Sequence, residues 1–130
     1  MNLIPSRVLI VDDETQLLEL IEGILEDLPI DITTALSGEE GMEIIKSSKE
    51  FAVTISNFHM GKGMNGGDFL KFVGSYCPNT IRILMTGGLD QDSLIKGRKE
   101  GKYDSFSLKP IVLHNFVNQV ESCVNEYNTK

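Results

Sequence analysis

Apolar residues in this chain alternate between short dense runs and longer stretches where they recur every three or four positions. Val8 to Val11 is an unbroken apolar run of strand length, and it ends at Asp12, Asp13 and Glu14, where a helical spacing begins. Leu17, Ile21, Ile24 and Leu28 fall on one helical face with Leu18 and Leu25 beside them, while Glu19, Glu22 and Glu26 take the other. Pro29 stops that helix. Ile30 to Leu36 alternates weakly as a second strand. Ser37, with Glu40 three residues on, then forms a capping-box signal for a helix through Met42 and Ile45.

The second half repeats the alternation. Ala52 to Ser56 predicts a third strand, followed by a Gly-rich loop from Gly61 to Gly67 and a helix carrying Phe69, Leu70, Val73 and Tyr76 before the break at Pro78 and Asn79. Ile81 to Thr86 predicts a fourth strand. Asp90 to Glu100 is weakly helical, with few apolar anchors and Gly97 in its middle, and is expected to be the loosest helix. Ser105 to Leu108 is a short fifth strand before Lys109 and Pro110, and Leu113, Phe116, Val117, Val120, Val124 and Tyr127 supply the buried stripe of the last helix.

Five strands alternating with five helices predict an α/β domain: a doubly wound, five-stranded parallel sheet with helices on both faces. Val8–Val11 and Ile81–Met85 are nearly all apolar, as interior parallel strands are, whereas the strands at Ile30–Leu36 and Ser105–Leu108 interleave polar residues as edges do. Right-handed crossovers then give the order 2-1-3-4-5. Functional groups in such a sheet lie beyond the carboxyl ends of the strands, which selects Asp12, Asp13, Asn57, Thr86 and Lys109.

With 130 residues, 41% of them hydrophobic, the chain is expected to form one domain over 1–130 with a core of its own. No run approaches the roughly 18 apolar residues of a membrane span, and Met1 to Arg7 lacks the basic start and long apolar run of a signal peptide, so the expectation is a cytoplasmic protein without membrane contact. Cys77 and Cys123 fit no metal-ligand spacing and are expected to be buried thiols. The net charge of -7 is concentrated at one end: residues 1–50 hold twelve acids and three bases, residues 51–130 seven acids and nine bases. That distribution argues against nucleic-acid binding, and Lys96, Arg98, Lys99 and Lys102 are taken as a solvated helix face.

The run Val8-Leu9-Ile10-Val11-Asp12-Asp13-Glu14, the Met85-Thr86-Gly87 segment and the Lys109-Pro110 pair together resemble the receiver domain of bacterial response regulators, the flavodoxin-like (βα)5 fold of two-component phosphorelay signalling. The resemblance covers nearly the whole chain. It implies that Asp12 and Asp13 are Mg²⁺ ligands, Thr86 the switch hydroxyl, Lys109 the phosphate-binding cation and Phe106 the aromatic that reports the switch. The chemistry suits these types, because Mg²⁺ takes hard oxygen ligands and phosphoryl transfer needs an in-line nucleophile with fixed positive charge on the equatorial oxygens. Helix N-terminal capping is the bland role for Asp12 and Asp13, but it does not account for two adjacent acids at the end of a buried strand.

The departure from the family falls at its nucleophile, where the resemblance places Asn57. An amide is uncharged and a poor nucleophile, so an ordinary aspartyl phosphate cannot form there, and Mg²⁺ should be held weakly by Asp12, Asp13 and Asn57. Either the acid was replaced in the laboratory or the receiver is naturally degenerate. Receivers usually continue with a Met-Pro-Gly-Met-Asp-Gly type of segment, whereas Met60-Gly61-Lys62-Gly63-Met64-Asn65-Gly66 has Gly for Pro and one extra residue, which favours natural loss. His59, His114 and Lys62 are expected to be surface side chains, and Lys102 stands where receivers usually carry a small residue.

The expected function is therefore a non-enzymatic receiver module that is not itself phosphorylated. It works through contacts with a histidine kinase or an output domain, and possible homodimerisation through the face of the fourth helix, fifth strand and fifth helix follows from the resemblance. Three alternatives stand beside it: an ordinary phosphorylation switch bearing an Asp to Asn change, phosphorylation of Asp13 in place of residue 57, and a flavin or nucleotide binder on the same sheet. The last would place a phosphate-cradling loop where this chain has Asp12, Asp13 and Glu14.

Overall fold

The computed structural model describes residues 5–130, and the first four residues of the Met1–Arg7 segment, expected to lack a signal peptide, lie outside the described residues. Strands and helices alternate without exception: β1 (Ser6–Val11), α1 (Thr15–Ile24), β2 (Ile30–Ala35), α2 (Gly38–Ser47), β3 (Val53–Asn57), α3 (Gly66–Tyr76), β4 (Ile81–Thr86), α4 (Gln91–Lys99), β5 (Ser105–Leu108) and α5 (Leu113–Asn128). All neighbouring strands are parallel, in the order β2-β1-β3-β4-β5. The two apolar runs singled out in the sequence are both interior, and β3 sits between them. Its five residues are all buried even though Thr54, Ser56 and Asn57 are polar.

Side chains alternate across the sheet and build two cores. Val8, Ile10, Val53, Ile55, Ile83 and Met85 pack under α1 and α5 against Leu18, Ile21, Phe116 and Val120. Leu9, Val11 and Leu84 face the other way, toward Ile45 of α2, Phe69, Leu70 and Val73 of α3 and Leu94 of α4. Phe51, Phe69 and Phe116 are the largest fully buried side chains, and each contributes about 2 to 3 kcal/mol through removal from water. Among the described residues no helix is long and apolar enough to cross a membrane.

Several local expectations need correction. Helix α1 ends at Ile24, short of Leu28: the amides of Glu26 and Leu28 bond to carbonyls three residues back, at Gly23 and Leu25. The ring of Pro29 disfavours helical geometry at Leu28, so the last turn tightens and unwinds before it. Leu113 opens α5 but is 56% exposed and lies outside the buried stripe, because the chain turns away from the sheet at the helix N-terminus. The Gly-rich loop stops at Asn65, whose side chain accepts a hydrogen bond from Asp68 N and caps α3, so Gly66 and Gly67 are helical.

Helix α4 is capped at both ends. Asp90 caps it through Ser93 N at 2.7 Å. Its far end closes in a Schellman arrangement, with Lys102 N bonded to Gly97 O, Gly101 N to Arg98 O, and Gly101 left-handed at φ 79°. Gly97 is small for a reason: the Tyr103 ring lies over it and donates its hydroxyl to Leu94 O at 2.7 Å. Below this end, Arg82 of β4 donates through Nη1 to the carbonyls of Leu70, Gly101 and Lys102 and pairs through Nε with Asp104 at 3.4 Å, and its guanidinium lies over Gly74, where an added side chain would displace it. Cys77 and Cys123 are both half-buried free thiols, and burial pushes the Cys123 thiol up to about 11, which keeps it protonated and unreactive at neutral pH.

Candidate functional site

The five positions picked out by the carboxyl-end rule come from four strands. Asp12 follows β1 directly and is fully buried, held by a backbone bond from its amide to Ala35 O. Its Oδ1 accepts from Glu14 N at 2.9 Å, and its Oδ2 lies 3.4 Å from the Lys109 ammonium. Asp13 is exposed at the mouth of the site. Facing it is Gly61, whose φ of 65° suits glycine; a Cβ there would lie 3.9 Å from Asp13 Oδ2.

Asn57 closes β3 and is 5% exposed. Its Nδ2 donates to the carbonyl oxygen of His59 at 2.6 Å, so the amide is engaged with the loop that follows it. That loop is pinned at three further points. Phe58 N donates to Met85 O, Gly66 N donates to Phe58 O at 2.9 Å, and Met64 N donates to the Glu39 carboxylate of α2 at 3.0 Å. This last bond holds the Glu39 carboxyl below the usual carboxylate range.

Thr86 ends β4 fully buried; its Oγ1 accepts from Gly88 N at 3.2 Å, and its carbonyl accepts from Lys109 N at 2.9 Å. Lys109 follows β5, and its side chain is three-quarters buried against Gly87 and Asp12. Phe106 is half-buried on the α4 face of the sheet beside Leu84, the face that Thr86 also takes by alternation.

Asp12, Asn57, Thr86 and Lys109 are thus gathered at one end of the sheet with Asp13 at the rim, while Phe106 stands back in the second core. Two participants escaped sequence reasoning. Glu39, exposed in the first turn of α2, tethers Met64 across 25 residues. His59 is exposed as expected, but its ring meets Phe58 edge-on at a centroid distance of 4.9 Å and covers Gly88, where an added Cβ would come within 2.7 Å of Nε2. Nothing in the spacing of either residue signals those contacts.

Electrostatically the site is under tension. Burial raises the Asp12 carboxyl above its ordinary 3.8, and the Glu14 amide and the Lys109 ammonium offset that only in part. A raised value in the folded state means that ionisation of Asp12 costs folding stability, so this contribution worsens as pH rises through the raised value and vanishes when Asp12 is protonated. Asp12→Asn is therefore expected to melt at a higher temperature than the native chain at neutral pH, with the advantage fading in acid. A paired thermal melt across pH measures it, and a lower Tm at neutral pH would contradict it.

The oxygen donors present are of the kind a divalent cation takes: the carboxylates of Asp12 and Asp13 and the Oδ1 of Asn57. Asp12 is already shared with Glu14 N and Lys109, however, and among the described residues no group of three or more acids, histidines or cysteines is placed to hold a metal.

Residues 8–121 match the family model for the response regulator receiver domain. Among curated proteins, the chain is 28% identical over 119 residues to the hydrogenase transcriptional regulatory protein HoxA of Cupriavidus necator, covering 92% of this chain and 24% of that protein. It spans about a quarter of the length of that relative. Among solved structures, the signal receiver domain of a putative LuxO repressor protein from Vibrio parahaemolyticus superposes with a TM-score of 0.88 at 25% identity, covering 96% of this chain and 94% of that one. A response regulator receiver domain protein from Clostridium thermocellum gives 0.84 at 27% identity, covering 95% and 98%. The family match over most of the chain and the strand order agree, and the chain belongs to the response regulator receiver family of two-component signalling.

Proposed function

We propose that this receiver signals through protein contacts without being phosphorylated itself. The observation that carries the reading is Asn57. It is buried at the carboxyl end of β3, the position to which the resemblance assigns the acceptor carboxylate. An amide oxygen has neither the charge nor the basicity to attack phosphorus, and this amide is held by its bond to His59 O. Asp12, Asp13 and the Asn57 oxygen would hold Mg²⁺ weakly; when bound, the ion supplies positive charge to phosphoryl oxygens. Lys109 remains paired with Asp12 and Thr86 with Gly88, so both stay in the arrangement they have without a phosphoryl group. A receiver of this kind sits at a fixed balance between conformations, shifted only by a partner that binds one of them better.

Response regulators work with histidine kinases and output domains, and this domain is assigned the same partners, with a cytoplasmic location and no catalysis of its own. The face of α4, β5 and α5 is the proposed contact, including self-association: Leu108 and Val112 are 58% and 60% exposed there, and Arg98 and Lys99 of α4 are exposed as well, with Lys96 half-buried. The direct test is intact mass after incubation of the native chain with Mg²⁺ and a small phosphodonor. No added phosphoryl mass is expected; uptake of one, at Asp13 or elsewhere, overturns the proposal.

A further inference from the structure

We infer that the Asn57 side-chain amide does the work of a bound cation in ordering the loop between β3 and α3, so that residues 58–65 keep their conformation without metal. The inference rests on reading this site as one that has lost its phosphoryl acceptor. Its starting point is the 2.6 Å bond from Asn57 Nδ2 to His59 O. A carboxylate in the same place has no donor, and its oxygen would face the carbonyl oxygen as a second acceptor. Two such oxygens stay close only with a proton or a cation between them. The amide needs neither, because its NH₂ presents the positive end of a dipole to the carbonyl.

The rest of the loop is built to match. Its anchors are Phe58 N on Met85 O, Gly66 N on Phe58 O and Met64 N on the Glu39 carboxylate, all of them hydrogen bonds within the chain. Gly61, at φ 65°, carries the backbone past Asp13 without a side chain, so the loop lies against the acid rim without requiring a metal to draw the two together. The amide bond ties the first turn of this loop to the end of β3, the point at which the loop leaves the sheet. A part-buried neutral bond of this type typically changes a local opening equilibrium roughly fivefold.

Hydrogen exchange of the backbone amides in residues 58–65, measured in EDTA and in excess Mg²⁺, tests the idea on the native chain and on two variants. The native loop is expected to exchange equally under both conditions. Asn57→Ala should exchange roughly fivefold faster in both, having lost the bond. Asn57→Asp should exchange faster in EDTA and return toward the native rate with Mg²⁺. Slowing of native exchange by Mg²⁺, native-like exchange in Asn57→Ala, or an Asn57→Asp loop indifferent to EDTA would each overturn the inference. The native comparison needs no variant and so decides the matter even where a variant fails to fold. Phosphoryl uptake by the native chain would instead remove the phosphorylation-independent reading, a different result from a different measurement.

Discussion

Asn57→Asp is expected to convert a chain that takes up no phosphoryl group into one that takes up a single group from a small phosphodonor with Mg²⁺, located at residue 57 by peptide mass analysis. The other components are already in position. Lys109 reaches the Asp12 carboxylate, Thr86 is buried with its hydroxyl at the end of β4, and Asp13 stands open at the rim. A carboxylate at the end of β3 adds the third acid that a hard cation needs and the nucleophile that phosphorus needs. The change in uptake is from none to about one per chain, the largest functional effect available from a single residue here. Failure of Asn57→Asp to react in the presence of Mg²⁺ would locate a second lesion in the loop, whose extra residue then holds the new carboxylate off line.

The largest structural effect is expected at Gly66. A Cβ on this residue would fall on the carbonyl group of Asn57 and against the Cα of Phe58, all of it backbone at the end of the central strand. Neither side can yield as a flexible side chain would: β3 is bonded on both edges and α3 is packed through Phe69, Leu70 and Val73. Gly66→Ala is accordingly expected to lose at least about 3 kcal/mol, which lowers Tm by on the order of 10 °C in a domain of this size. Denaturant melts of the two chains measure the difference. A loss under about 1 kcal/mol would mean that α3 slides along the sheet at little cost.

Much of the fold is legible in the chain because its strands are punctuated by chemistry. Val8–Val11 ends in three acids and Ile81–Met85 in a threonine and two glycines, and both runs are interior in the sheet. Strand order followed from crossover handedness and polarity, and the strand-end rule gathered Asp12, Asn57, Thr86 and Lys109 without any contact being known. The failures share a cause. The early end of α1, the exposure of Leu113 and the helical state of Gly66 and Gly67 are boundary effects, decided by one proline ring, one turn of chain and one asparagine cap. The closure of α4 by Tyr103 and Arg82 and the tie from Glu39 to Met64 depend on partners outside the local sequence window. Periodicity records which side of a helix meets the core, and it is silent about which polar group waits there.

Arg82 gives that closure a mechanical meaning. A single guanidinium rivets the carbonyls at the end of α4 to α3 and β4, while the opposite end of α4 is joined to β4 by the short segment from Thr86 to Asp90. Were α4 to rearrange, it would swing about this C-terminal pivot, with its N-terminal arm beside the Thr86–Gly88 segment covered by His59. A partner bound at the N-terminal end of that helix would act on the arm of such a lever, and one bound at the basic C-terminal end would act at its fixed point.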